Sequence, residues 1–145
     1  MSDHPGRQSS SALHVLQVSA ELFPWLKTGG LADVTGALPG ALAPYGIELR
    51  PLVPGLPVFL KAATDCRFVA KVVTPWGDAL EINRVQFESS RFGWAYVIVA
   101  PQLYERGGTL YEDDDKQAFG DNHRRFAALS WAAMSLGQGL DPAWA

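Results

Sequence analysis

The stretch LHVLQVSAELFPWLKTGGLADVTGALPGALAPYGIELRPLVPG, Leu13 to Gly55, decides how the rest of the chain is read. It opens with Leu13-His14-Val15-Leu16-Gln17-Val18, a short and mostly apolar run with two valines, bounded by Ser19. That pattern predicts a buried strand. Pro24 and then Gly29-Gly30 punctuate the next segment as a loop. From Leu31 the period changes: Leu31, Val34, Leu38, Leu42 and Tyr45 recur at helical spacing, and Gly46 is a suitable stop. Pro39 inside this run predicts a kink or a break. Ile47 to Val53 reads as a second strand in spite of Pro51. Strand, loop, helix and strand in that order make a βαβ unit, which favours a parallel sheet and a right-handed crossover.

Past Gly55 the chain changes character. Val58 to Ala63 is long enough for one helical turn. Cys66–Thr74, Ala79–Phe87 and Trp94–Ala100 are three strand-like runs, separated by Pro75-Trp76-Gly77-Asp78 and by Ser89-Ser90-Arg91-Phe92-Gly93. Turns this short predict antiparallel neighbours. Pro101 opens a loop running to Gly120, too long to be a mere connector and so a candidate for function. Asp121 suits the N-cap of a helix from Asn122 to about Leu136, with Phe126, Leu129, Ala133 and Leu136 on one face. A doubly wound sheet would continue from that helix into another parallel strand. None follows before Ala145, so residues 13–145 read as an incomplete Rossmann-like α/β domain, behind a disordered polar tail over residues 1–12.

Composition narrows the function classes. At 145 residues and 15.7 kDa the chain fits one domain. A formal charge of −3 and a pI near 5.5 argue against a protein built to neutralise nucleic-acid phosphates. The lone cysteine, Cys66, makes neither an internal disulfide nor a cysteine-rich zinc site. No apolar run approaches the ~20 residues of a membrane span. The expectation is a cytoplasmic protein that meets neither membrane nor nucleic acid.

The chemistry concentrates in Phe23-Pro24-Trp25-Leu26-Lys27-Thr28-Gly29-Gly30-Leu31-Ala32-Asp33-Val34, between a strand end and a helix start. Open α/β sheets bind ligands at the carboxyl ends of their strands. Two glycines let backbone N–H groups approach a ligand, and the helix start offers unpaired N–H groups and partial positive charge. Lys27 adds a full charge, unfavourably placed there without an anion. The set suits a phosphate or diphosphate. It is no P-loop, because Lys27 precedes the glycines, and the dinucleotide fingerprint Gly-x-Gly-x-x-Gly is missing.

Plainer readings stand beside these. Asp33 falls in a first helical turn, where the helix dipole favours acid anyway. Asp121 is accounted for as an N-cap. Glu112-Asp113-Asp114-Asp115 reads as a solvated loop. Of the tryptophans, Trp131 reads as core, whereas Trp76 sits in a turn where an exposed ring fits.

The strings His14-Val15-Leu16-Gln17-Val18-Ser19-Ala20-Glu21, Lys27-Thr28-Gly29-Gly30-Leu31-Ala32-Asp33-Val34 and Gly36-Ala37-Leu38-Pro39 closely resemble the start of bacterial glycogen synthases and plant starch synthases. The resemblance continues through Pro101-Gln102-Leu103-Tyr104-Glu105-Arg106 and Asp121-Asn122-His123-Arg124-Arg125-Phe126, and is weak between Ala62 and Ser90. It implies a GT-B fold, two Rossmann-like domains across a cleft. It implies transfer of glucose from ADP-glucose to the non-reducing end of an α-1,4-glucan with retention, needing neither metal nor cofactor. Lys27 would be the phosphate ligand, with Gly29 and Gly30 allowing close approach. Asp33, Tyr104 and Asp121 match positions that line the family's cleft. The family's His-Ala-His-Asp-Trp strand and second domain are missing from this sequence. The chain alone is therefore expected to be an inactive part of a synthase; the alternative is a non-catalytic glucan- or nucleotide-sugar-binding remnant.

Overall fold

The computed structural model describes residues 11–88, 90 and 92–144. The expected tail lies outside these, except for Ser11 and Ala12. The elements run β1 (Leu13–Val18), α1 (Gly30–Leu42), a 3-10 turn (Ala43–Tyr45), β2 (Ile47–Pro54), α2 (Pro57–Ala62), β3 (Ala63–Val73), β4 (Ala79–Phe87), β5 (Trp94–Val99), α3 (Pro101–Tyr104) and α4 (Asn122–Gly137). The strands form one sheet in the order β1-β2-β5-β4-β3.

The βαβ reading of Leu13–Val53 holds. β1 lies parallel to β2, with Leu13 opposite Ile47 and Val18 opposite Leu52. β2 lies parallel to β5, and β5-β4-β3 are antiparallel neighbours, as the short turns predict. The β3–β4 turn closes through Thr74, which accepts from Gly77 N at 3.0 Å through its carbonyl and from Asp78 N at 2.9 Å through its hydroxyl. Leu52, Val53, Ile82, Tyr96, Val97 and Ile98, on the three inner strands, are shut off from solvent. α4 packs against β1, β2 and β4, and α1 against β2. At the end of β2, Gly55 donates to Ile98 O at 2.7 Å, and a Cβ there would stand 2.4 Å from that oxygen. Only glycine lets the chain leave the sheet so close to β5.

Two expectations change. β1 is an edge strand rather than a buried one: Leu13 and His14 are exposed and Val15 to Gln17 half-buried, because among the described residues β2 is its one neighbour in the sheet. Pro39 neither breaks nor divides α1, which continues to Leu42. A proline removes the N–H that would bond the carbonyl four residues back, here that of Thr35. Gln17 Nε2 of β1 donates to Thr35 O at 2.8 Å instead. The orphaned carbonyl is satisfied across the βα interface, and the buried proline ring becomes part of the packing.

The opposite edge, β3, is guarded. It carries exposed Asp65, Arg67 and Lys71, and its register shifts between Thr64 and Arg67 and again between Phe68 and Ala70. Irregularity and charge of this kind discourage edge-to-edge pairing. Beyond α4 the chain is fastened back onto the sheet by buried Asp141, which accepts from Arg84 Nε at 2.6 Å and from Tyr96 Oη at 2.6 Å. Trp144 stacks on His14, with ring centroids 5.3 Å apart.

Candidate functional site

Three segments leave the carboxyl ends of the parallel strands: residues 19–29 after β1, 55–56 after β2 and 100–121 after β5. The first folds tightly. Ser19 Oγ accepts from Glu21 N at 3.1 Å and donates to Glu21 O at 2.8 Å. Leu22 and Leu26 exchange backbone bonds of 3.1 and 3.0 Å. Phe23 N donates to Ala32 O at 3.2 Å, which pins this fold to the first turn of α1 and sets Lys27-Thr28-Gly29-Gly30 before the helix start.

At that helix start the N-cap residue is Gly29, which has no side chain to cap the first N–H groups. Gly29 and Gly30 both have open space where a Cβ would stand, and neither has a positive φ. The fold therefore does not itself demand glycine at either position. Lys27 is not left without an anion: its Nζ lies 2.6 Å from Asp33 Oδ2, with both side chains about half exposed. Asp33 also borders an open cavity of about 440 Å³, together with Phe23, Trp25, Gly36 and Phe92. A second hollow, of about 210 Å³, lies beside Leu26 and is bordered by Arg106, Thr109 and Leu110.

Four of the six candidate residues thus come together: Lys27, Gly29, Gly30 and Asp33. Tyr104 and Asp121 do not join them by contact. Tyr104 is buried in α3, and its hydroxyl donates to Arg125 O at 2.8 Å. Burial pushes this phenol well above its ordinary pKa, so it remains a donor. Asp121 holds the N-cap position of α4, but its side chain does not cap. Both its oxygens accept from Arg106, at 2.7 and 2.6 Å, and this pairing holds its carboxyl below the usual aspartate range. A bidentate guanidinium is a stronger partner for a carboxylate than one backbone amide. The 100–121 segment is further tied down by Arg125, whose buried guanidinium donates to Leu103 O at 2.7 Å and Leu110 O at 2.8 Å. The acidic run is largely exposed, with Asp113 accepting from two nearby backbone amides at 2.9 Å. No group of three or more His, Cys, Asp or Glu is arranged to hold a metal among the described residues.

One residue of the site escapes the sequence reading. Glu21 is only 3% exposed. Its carboxylate accepts from Thr28 N at 3.1 Å, from the Thr28 hydroxyl, and from Tyr111 Oη at 3.2 Å. The Thr28 bonds outweigh burial and hold its pKa below the ordinary glutamate value. A carboxylate three residues past an apolar strand, with hydroxyl and glycine residues a few positions on, is the signal that could have found it.

A family model described as the starch synthase catalytic domain matches residues 14–144. The chain belongs to the starch synthase catalytic domain family. Within this family of glycosyltransferases, the glycogen synthase of Variovorax paradoxus is 53% identical over 136 residues, covering 91% of this chain and 28% of that protein. The glycogen synthase of Francisella tularensis subsp. tularensis is 44% identical over 133 residues, covering 91% of this chain and 27% of its own length. The catalytic domain of starch synthase IV from Arabidopsis thaliana, solved with ADP and acarbose, superposes with a TM-score of 0.64 at 26% identity, over 90% of this chain and 26% of that one. This chain thus spans little more than a quarter of the glycogen synthases it matches, and its α/β sheet is the Rossmann-like N-terminal portion of a GT-B starch synthase catalytic domain.

Proposed function

We propose that this chain supplies the donor-phosphate loop of an ADP-glucose-dependent glycogen or starch synthase, which transfers glucose to the non-reducing end of an α-1,4-glucan with retention. The observation that carries the reading is the uncapped start of α1, with Lys27 just ahead of it and open space at Gly29 and Gly30. Breaking the glucosyl–phosphate bond leaves negative charge on ADP oxygens. A fixed ammonium and free helix-start amides stabilise that charge more than they stabilise the intact donor.

Asp33 has two successive tasks in this reading. Before the donor arrives it neutralises Lys27. A half-exposed pair of this kind is worth about 1 kcal/mol at most, so a diphosphate can displace it. Released, its carboxylate faces the cavity at Phe23 and Trp25, where it accepts from a sugar hydroxyl. Tyr104 and Asp121 act indirectly, by holding the 100–121 segment in place. The chain alone is inactive, the second Rossmann-like domain being its required partner, and the cytoplasm is its compartment. No helix among the described residues is long and apolar enough to cross a membrane.

Calorimetric titration of the chain with ADP-glucose, with Lys27→Ala beside it, tests the reading. Saturable binding that the variant weakens at least tenfold, about 1.4 kcal/mol, supports it. Binding that ignores the substitution sinks it.

A further inference from the structure

Glu21 carries a buried carboxylate that no described cation pairs with. Such a charge persists only where hydrogen-bond donors surround it. Its donors come from two segments: the amide and hydroxyl of Thr28, between Lys27 and the glycines, and the phenol of Tyr111, in the long segment after β5. Tyr111 in turn follows Leu110, whose carbonyl is held by buried Arg125 of α4. Of the Lys27–Gly30 string, Thr28 is held by a buried scaffold side chain through both its amide and its hydroxyl, and Lys27 and Gly29 flank it directly. We infer that Glu21 and Tyr111 are positioning residues for the Lys27-Thr28-Gly29-Gly30 loop: the carboxylate sets the loop's register through Thr28, and the phenol couples that register to the segment after β5.

The inference rests on the reading of this loop as a diphosphate site. Neither residue touches the donor; each acts through Thr28. The arrangement has a pH signature. Thr28 donates to an ionised carboxylate, and protonation converts an acceptor into a competing donor. Tyr111 is the titratable group facing Glu21 among the described residues. Burial and the Glu21 charge raise its pKa, so it remains a donor throughout the range in which Glu21 titrates. Glu21 itself sits below its ordinary value, so the tie is complete at neutral pH and fails as pH falls through that lowered value.

The experiment follows the Thr28 amide by NMR against pH in the wild-type chain and in Glu21→Gln and Tyr111→Phe. ADP-glucose affinity is measured for these, for Thr28→Val and for Lys27→Ala. The wild-type Thr28 amide shift should titrate with a midpoint below the ordinary glutamate value of about 4.3. Glu21→Gln should abolish that titration. Thr28→Val, at an exposed position, keeps Glu21 but removes one of its donors, and should weaken ADP-glucose about tenfold, as loss of a charge-assisted hydrogen bond predicts. Tyr111→Phe should weaken it less. A Thr28 titration that survives Glu21→Gln overturns the inference even in a variant too unstable for ligand work. Unaltered affinity in Thr28→Val and Tyr111→Phe, with Lys27→Ala impaired, overturns the positioning role and leaves the diphosphate site standing. Unaltered affinity in Lys27→Ala, with the Thr28 titration behaving as stated, overturns the diphosphate site instead.

Discussion

The contact between Lys27 and Asp33 decides how the ligand-free loop behaves. An ammonium beside an uncapped helix start would be repelled by it; the Asp33 carboxylate neutralises that repulsion and at the same time complements the dipole of α1. On the proposed reading, a phosphate competes there with a resident anion. Asp33→Asn should tighten inorganic pyrophosphate binding two- to fivefold at low salt, the equivalent of about 0.5–1 kcal/mol for a half-exposed pair. Added salt should shrink the difference. Weaker binding of pyrophosphate by the variant would instead give Asp33 a direct part in holding phosphate. Lys27, Gly29 and Gly30 were legible in the sequence because their chemistry is local: a cation, two glycines and a helix start. Glu21 was not. Its partners lie 7 and 90 residues along the chain, and only the fold assembles the donors that make a buried carboxylate tolerable.

Among the elements, α1 shows how a rule of local structure can hold and its expected consequence fail. Pro39 does remove a helical hydrogen bond, as the sequence says it must. The helix survives because β1, 18 residues before the affected carbonyl, delivers Gln17 to Thr35 O. Thr35 itself is buried and donates to Glu21 O at 2.9 Å, so the same turn of α1 borders the residue that anchors the loop. Gln17→Leu should leave a carbonyl unsatisfied at this interface and cost about 2 kcal/mol in chemical denaturation. Pairing it with Pro39→Ala, which restores the helical donor, should recover most of that loss. Failure of the double variant to recover would mean that Gln17 contributes by packing and not by its amide. Strand limits were far easier to read, since Pro75 to Asp78 and the turn before Trp94 mark them locally.

For the molecule as a whole, the sequence conveyed the parallel start, the antiparallel continuation and the closing helix, but not the sheet order that makes β1 an edge. Edge and centre differ in what lies beside a strand, and a run such as Leu13–Val18 looks the same in either place. Nor did it convey how the end of the chain is fastened. Asp141, after α4, reaches Arg84 of β4 and Tyr96 of β5, fastening the end of α4 to two inner strands. Asp141→Asn keeps the shape and removes the charge opposite a largely buried arginine. A loss of about 2–3 kcal/mol in thermal or chemical denaturation is expected, without change in ADP-glucose affinity measured on the folded fraction.

The guarded edge of β3 has a consequence for how such a chain can change over generations. The Lys27–Gly30 loop follows β1, at the far side of the sheet, four strand spacings or about 19 Å away. An edge that already tolerates two register shifts places few demands on the length or identity of its outward residues. Mutations should accumulate there almost without penalty, while the β1 side stays frozen by the loop it carries. One sheet thus ages at two speeds, and a comparison of distant relatives should find its drift concentrated in residues 63–73.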